Sequence, residues 1–215
     1  MRLVADNFSG FLNDAREWSR GRHWPLRLFL WLWLAWLAFH YTREAAYSGL
    51  IGGLNLGVHE FGHLICSPFG QFINVLGGSL VQCLVPLISF VMFYRQEDYF
   101  AFSFSFVWLG TNFEGVARYV GDARALQLDL VSPFGGGDGG VIHDWNWLLA
   151  KLGWLTHDHQ IAAVFHLLAI ACLWLGVAWG GYLLWRMIIT RDCADECAFK
   201  GLSSGGPVPR PGPKP

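Results

Sequence analysis

Three residues of this 215-residue chain have the types and the spacing of a hydrolytic metal site: His59, Glu60 and His63, in the pattern H-E-x-x-H. On a helix, residues four apart share a face, so the two imidazoles can bind one Zn²⁺ at about 2.0–2.1 Å. Glu60 lies one position further round the helix, where it can reach a water molecule on the metal. The pattern therefore predicts metal-assisted hydrolysis, with Glu60 as the base that takes a proton from water.

The sequence around the motif is apolar, which indicates an integral membrane protein. Hydrophobic residues make up 53% of the chain and charged residues 14%, whereas a soluble domain carries about 25% charged residues. A carboxylate inside a bilayer is costly, so Glu60 in such a segment indicates a functional site. The preceding Gly49, Gly53 and Gly57 recur every four residues, a spacing that predicts close packing against a neighbouring helix.

Five apolar runs are each long enough to cross ~30 Å of hydrocarbon as a helix. They are residues 25–41, 45–67, 71–94, 99–120 and 160–188. Because backbone groups in lipid must satisfy their hydrogen bonds internally, we expect an all-α, polytopic helical membrane protein. The apolar stretch 141–155 could add a crossing, so the expected number of transmembrane helices is five to six.

The chain divides into three parts by composition. Residues 1–24 are polar and form a cytoplasmic or interfacial segment, residues 25–190 form the membrane-embedded metalloprotease-like domain, and residues 191–215 form a Gly/Pro-rich tail that we expect to be disordered. Arginines before the first apolar run predict that the N-terminus lies in the cytoplasm. The net charge of −1 gives no reason to expect a nucleic-acid partner.

A catalytic zinc needs a third protein ligand, which here must come from another apolar run. The second and fourth runs cross in the same direction, so the inner end of the fourth brings Asp122 to the depth of the motif. Asp144 and His143, in "HDW", are the alternatives, and Asp144 would also suit a helix N-cap. Glu114 and Asp138 are the remaining candidates.

The motif in an early span, a Gly-rich next span ("NVLGGSLVQCLVP") and an Asp-bearing later span resemble the site-2 protease-like intramembrane zinc metallopeptidases. The resemblance is closest to the small bacterial branch and covers about residues 45–125. It implies His59 and His63 as zinc ligands, Glu60 as the catalytic carboxylate, and Asp122, which begins an Asp-Ala step, as the third ligand. It also implies a membrane protein, or a membrane-anchored peptide, as the substrate, and the bacterial inner membrane as the location.

An extended substrate strand would need hydrogen-bonding partners beside the metal. Asn112 and Gln82 are the polar side chains of the neighbouring runs that could supply them, and the glycines of residues 135–140 could flex to admit the strand. The sequence indicates neither a particular substrate nor an oligomeric state.

Two other functions are compatible with these residues. A b-type haem or pigment protein could use His59 or His63 with His166 as axial ligands between helices. A metal-retaining, non-catalytic accessory membrane subunit would keep the site and not turn over a substrate. An absorption spectrum distinguishes the first alternative, and a substrate screen distinguishes the second.

Overall fold

A computed structural model describes the backbone of residues 2–44, 47, 49–128 and 142–203, and side chains from residue 9 to residue 190 within those ranges. Every regular element in this part of the chain is a helix, which confirms the all-α class. The helices are α1 (Arg2–Ser19), α2 (Pro25–Arg43), α3 (Gly49–Cys66), α4 (Gln71–Arg95), α5 (Ala101–Gly121), α6 (Asp144–Leu152) and α7 (Asp158–Ser203). Single 3₁₀ turns, Ser67–Phe69 and Leu155–His157, precede α4 and α7.

Two helical regions of the described chain are long and apolar enough to cross a membrane: α4, and Leu155–Thr190. This is compatible with a membrane protein, but it does not confirm five to six crossings. The helix α3 is not one of these regions, and three of its 18 residues, His59, Glu60 and His63, are ionisable. The nine residues of α6 rise only about 14 Å, so this helix is too short to cross ~30 Å.

The chain forms two compact units, of which Leu30–Gly180 holds the motif. Its core is apolar and joins helices that are distant in sequence. One cluster brings together Leu34, Leu37 and Tyr41 of α2 with Ile51 of α3, Val107 of α5 and Leu173 of α7. A second cluster joins the last turns of α5 to α6 through Val116, Val120, Ala123 and Leu149. This second cluster fixes where α6 begins relative to α5.

The other unit comprises Met1–Phe29 and Gly181–Pro215. Within it, the Nε of Arg16 donates a hydrogen bond to the hydroxyl of Tyr182 at 2.9 Å, and Ala15 and Met187 are fully buried. The predicted tail starts at residue 191, whereas α7 continues to Ser203. Residues 204–215 lie outside the described part of the chain, and so do residues 135–140, which include the candidate ligand Asp138.

The close contact between α3 and α4 involves different glycines from those predicted. Gly53 and Gly57 are exposed, and a Cβ on either would meet nothing within 4 Å. Gly62 instead lies against the backbone of Gly77 and Gly78, where a Cβ would clash with the Gly77 carbonyl. The two helices therefore pack backbone to backbone at the motif itself.

Candidate metal centre

The two motif histidines and one aspartate form a compact group of potential metal ligands. The 3.6-residue period of α3 brings the rings of His59 and His63 to 4.8 Å between centroids. Asp144, the first residue of α6, places its Oδ2 atom 3.0 Å from His59 Nε2 and 3.1 Å from His63 Nε2. The two Nε2 atoms are 3.1 Å apart. These three residues could hold a metal ion.

In each ring the Nδ1 atom is hydrogen-bonded to a residue of α4, and this bond fixes the direction in which the Nε2 atom points. His63 Nδ1 lies 2.8 Å from the backbone carbonyl of Asn74; a carbonyl can only accept, so Nδ1 must carry the hydrogen. His59 Nδ1 lies 3.0 Å from Gln82 Oε1, which accepts in the same way. In neutral rings both Nε2 atoms then present lone pairs, and they converge with the Asp144 oxygen. Three electron-rich atoms at such distances require a cation or a proton between them.

The backbone of α4 leaves room for these ligands only because residue 78 is glycine. A Cβ at Gly78 would lie 2.5 Å from His63 Nε2 and 2.6 Å from His59 Nε2, which is closer than any real contact of that kind. Asn74 strengthens the same helix contact, since its Nδ2 donates to the His63 carbonyl at 3.0 Å. Gly78 therefore leaves the space in which the two imidazoles converge.

We expect Gly78→Ala to lower the affinity for Zn²⁺ or Co²⁺ by roughly 10- to 100-fold, the range found when the surroundings of metal ligands are disturbed. The added methyl group would displace both rings from the positions in which their Nδ1 hydrogen bonds hold them. Equilibrium dialysis of the purified protein measures the change.

Gly57→Ala is the matched control, because it adds the same methyl group on α3 where a Cβ meets nothing within 4 Å. Its metal affinity should equal that of the unsubstituted protein. Equal affinities in both variants would show that the Gly78 position does not border the metal.

Asp144 is held in place at the start of α6. Its backbone N–H donates to the hydroxyl of Tyr119 on α5 at 3.0 Å, and its side chain is only 9% exposed. Burial alone raises the pKa of the Asp144 carboxyl, but hydrogen bonds from the His59 and His63 rings, made when a proton lies between these atoms, lower it by more, so the pKa lies below its usual value. These contacts favour the carboxylate, which is the form that binds metals.

Asp122, preferred from the sequence as the third ligand, is not a member of this group. The helix α5 ends at Gly121, and Asp122 lies in the turn that follows. Its carboxylate accepts hydrogen bonds from the backbone N–H groups of Gln127 and Leu128, at 2.9 and 3.0 Å. It also lies 3.3 Å from His143 Nε2. The alternative from the same "HDW" stretch, Asp144, completes the group instead.

The other sequence-predicted residues occupy different positions. His143 is the N-cap of α6, and Gln82 binds the His59 ring. Asn112 is buried and donates to the carbonyl of Trp108 at 2.8 Å. Sequence reasoning missed Asn74, because a backbone carbonyl acceptor leaves no signal in residue type.

Glu60 lies beside the group and is only half-buried. Within the part of the chain whose side chains are described, no hydrogen bond or ion pair involves its carboxylate. Its charge nevertheless acts on His63 and on Tyr119, which places it electrostatically at the site. Because this carboxylate has no partner among the described side chains and lies next to the ligand group, it is available to accept and donate protons.

Glu114 belongs to a second polar cluster, which involves none of the three ligand residues. Its carboxylate lies 2.7 Å from His166 Nδ1 and 3.9 Å from Arg118 Nε. His166 is thus engaged by Glu114, whereas the Nε2 atoms of His59 and His63 point to Asp144. This arrangement does not favour His166 as an axial haem ligand opposite the motif.

Comparison of the chain with models of protein families, with curated proteins and with solved structures found no match. The interpretation of the site therefore depends on its own geometry and chemistry.

Proposed function

We propose that this protein is a membrane-embedded zinc metalloprotease that hydrolyses peptide bonds of membrane proteins or membrane-anchored peptides. The proposal agrees with the resemblance of the motif to the site-2 protease-like metallopeptidases. His59, His63 and Asp144 are the zinc ligands, and Glu60 is the catalytic carboxylate.

The observation that carries the proposal is the triangle formed by His59 Nε2, His63 Nε2 and Asp144 Oδ2, with sides of 3.0–3.1 Å. Ligands at about 2.0–2.1 Å in a tetrahedron lie about 3.3–3.4 Å apart, so the triangle needs only a small expansion to reach the ligand separations of a zinc coordination shell. Two imidazoles and one carboxylate, with a fourth position open, are the donor set of catalytic zinc rather than of structural zinc. The hydrogen bonds at both Nδ1 atoms orient the rings as outer-shell partners of zinc ligands do.

Zinc bound to these ligands would supply a water molecule of lowered pKa and would polarise the scissile carbonyl. Glu60 follows a ligand directly on α3 and has no competing partner in the described structure, so it can take the proton of the attacking water. The same carboxyl group then delivers that proton to the leaving amine. The Nδ1–H groups of His59 and His63 stay hydrogen-bonded to Gln82 and to the Asn74 carbonyl throughout, so the proton taken from water passes through Glu60.

The proposed substrate class follows from the surroundings of the motif. The helix that carries it also exposes Phe61, Leu64 and Ile65, with 55%, 59% and 46% of their surfaces accessible. Apolar side chains next to a hydrolytic site suit lipid, or the helix of a membrane-bound substrate. With α4 and Leu155–Thr190 as apolar helices of spanning length, we propose the bacterial inner membrane as the location.

The function is tested with the full-length protein purified in detergent and a panel of transmembrane peptides with separated fluorophore and quencher. Cleavage should disappear after treatment with a zinc chelator and return when Zn²⁺ is added. Zinc binding without cleavage of any peptide would overturn the protease assignment and favour the accessory subunit. An absorption band of a haem or pigment in the purified protein would overturn the metal assignment as well.

A further inference from the structure

The end of α5 and the start of α6 are joined by hydrogen bonds that do not involve the proposed ligand atoms. The Asn146 side chain donates to the carbonyl of Ala123 at 2.8 Å, and the Asp144 backbone N–H donates to the Tyr119 hydroxyl. The ring of His143, the residue before Asp144, lies 4.4 Å from the Tyr119 ring between centroids. These contacts hold His143, which precedes the proposed ligand Asp144, and Asn146, which follows it.

His143 links this junction to Asp122. Its Nδ1 atom accepts the N-cap hydrogen bond from the backbone N–H of Asn146 at 3.2 Å, so in the neutral ring the hydrogen lies on Nε2. That Nε2–H then donates to Asp122 Oδ2 at 3.3 Å. The side chains are 5% and 10% exposed, so little water competes for this contact.

Asp122 is itself immobilised by its own turn. Oδ1 accepts from the N–H of Gln127, and Oδ2 accepts from the N–H of Leu128 as well as from His143. A carboxylate with three donors directed at it can accept all of them. An amide in its place has one oxygen and one NH₂ group, so at least one of the three donors would face another donor.

We propose that Asp122 is a positioning residue for the metal ligand Asp144, acting through His143. The inference rests on the proposed metal centre. Asp122 fixes the His143 ring, the ring caps α6, and the capped first turn of α6 directs the Asp144 carboxylate to the two histidines. A carboxylate that is already held in the binding position before the metal arrives loses less conformational freedom when the metal binds. This raises the affinity for the metal.

The test is a Co²⁺ titration of the full-length protein in detergent, followed by the visible absorption of the bound ion. Asp122→Asn keeps the shape of the side chain and disturbs its three hydrogen bonds. His143→Asn keeps an oxygen that can cap α6 but removes the Nε2–H donor. The double variant removes both ends of the same contact. Asp98→Asn is the control. Asp98 accepts a hydrogen bond from the backbone N–H of Ala101, the first residue of α5, and so lies at the opposite end of that helix from Asp122.

We expect each single variant to bind Co²⁺ roughly 10- to 100-fold more weakly and to shift the absorption bands of the bound ion. The Co²⁺ affinity of the double variant should be no lower than that of the weaker-binding single variant, because both substitutions break the same contact. Asp98→Asn should bind like the unsubstituted protein. The melting temperatures of all variants, measured without metal, separate a loss of positioning from a loss of folding.

Unchanged affinity and unchanged bands in Asp122→Asn would overturn this inference and leave the metal centre intact. Losses that multiply in the double variant would also overturn it, since the two residues would then act independently. If the unsubstituted protein binds no Co²⁺, the proposed metal centre is refuted, and the inference falls with it. Peptide cleavage plays no part in this experiment, so failure of the protease assignment alone does not affect it.

Discussion

Replacing Glu60 by Gln is expected to leave Zn²⁺ bound and to lower the rate of peptide cleavage by about 10²- to 10⁴-fold, the usual contribution of a general base. Glutamine keeps the volume and the hydrogen-bonding reach of the side chain but cannot take a proton from water. Since Glu60 has no other partner among the described side chains, its removal should not disturb the fold. Parallel measurements of zinc content and of the cleavage rate in detergent separate binding from chemistry.

Glu17→Gln is the matched control, because Glu17 is an exposed carboxylate on α1. Its cleavage rate should equal that of the unsubstituted protein. A Glu60→Gln variant that cleaves at the normal rate would refute Glu60 as the base, and one that has lost its zinc would assign Glu60 a role in binding.

Replacing Asp144 by Asn is expected to reduce the affinity for Zn²⁺ by about a hundred-fold or more. Tetrahedral zinc sites are worth about 10–16 kcal/mol, so one ligand of four accounts for about 3 kcal/mol, and every 1.4 kcal/mol is tenfold. Asparagine retains the backbone hydrogen bond to Tyr119 but lacks the charge that balances the ion. Competition with a fluorescent zinc indicator measures the change.

Asp14→Asn, on the exposed face of α1, should bind zinc with unchanged affinity. The same experiment distinguishes Asp122 from Asp144, because Asp144 is a ligand in this account and Asp122 only positions it. A larger loss in Asp122→Asn than in Asp144→Asn would reverse their roles and contradict the geometry.

The histidine pair was predictable from the sequence because its geometry is local. Residues four apart on one helix share a face whatever the rest of the chain does. The partners that orient the rings were not predictable in the same way. The acceptor for His63 is the backbone carbonyl of Asn74, which any residue could supply, and the closeness of Gly78 depends on how α3 and α4 cross.

The aspartate that lies beside the histidine pair shows what residue spacing does not determine. The direction of the predicted spans gave Asp122 and the motif a similar depth, but depth does not determine which way a side chain turns. Asp122 follows the last residue of α5, and in that position its carboxylate binds the N–H groups of its own turn. Asp144 reaches the histidines because the second core cluster packs α6 against α5, a tertiary contact that residue spacing does not encode.

The helices themselves were predicted better than their membrane role. Each predicted apolar run overlaps a helix, since long apolar segments favour helical structure in either setting. The number of crossings depends on mean hydropathy, and the ionisable residues of the motif reduce it in α3. The residues that could bind a metal ion are thus among those that weaken the membrane signal of this helix.

The central claim is that His59, His63 and Asp144 hold a zinc ion, and X-ray absorption at the zinc edge of the purified protein tests it most directly. The account predicts bound zinc with only nitrogen and oxygen ligands at about 2.0–2.1 Å, a spectrum that includes imidazole scattering, and loss of the zinc in His59→Ala. Absence of zinc, or sulfur ligands at about 2.3 Å, would contradict it.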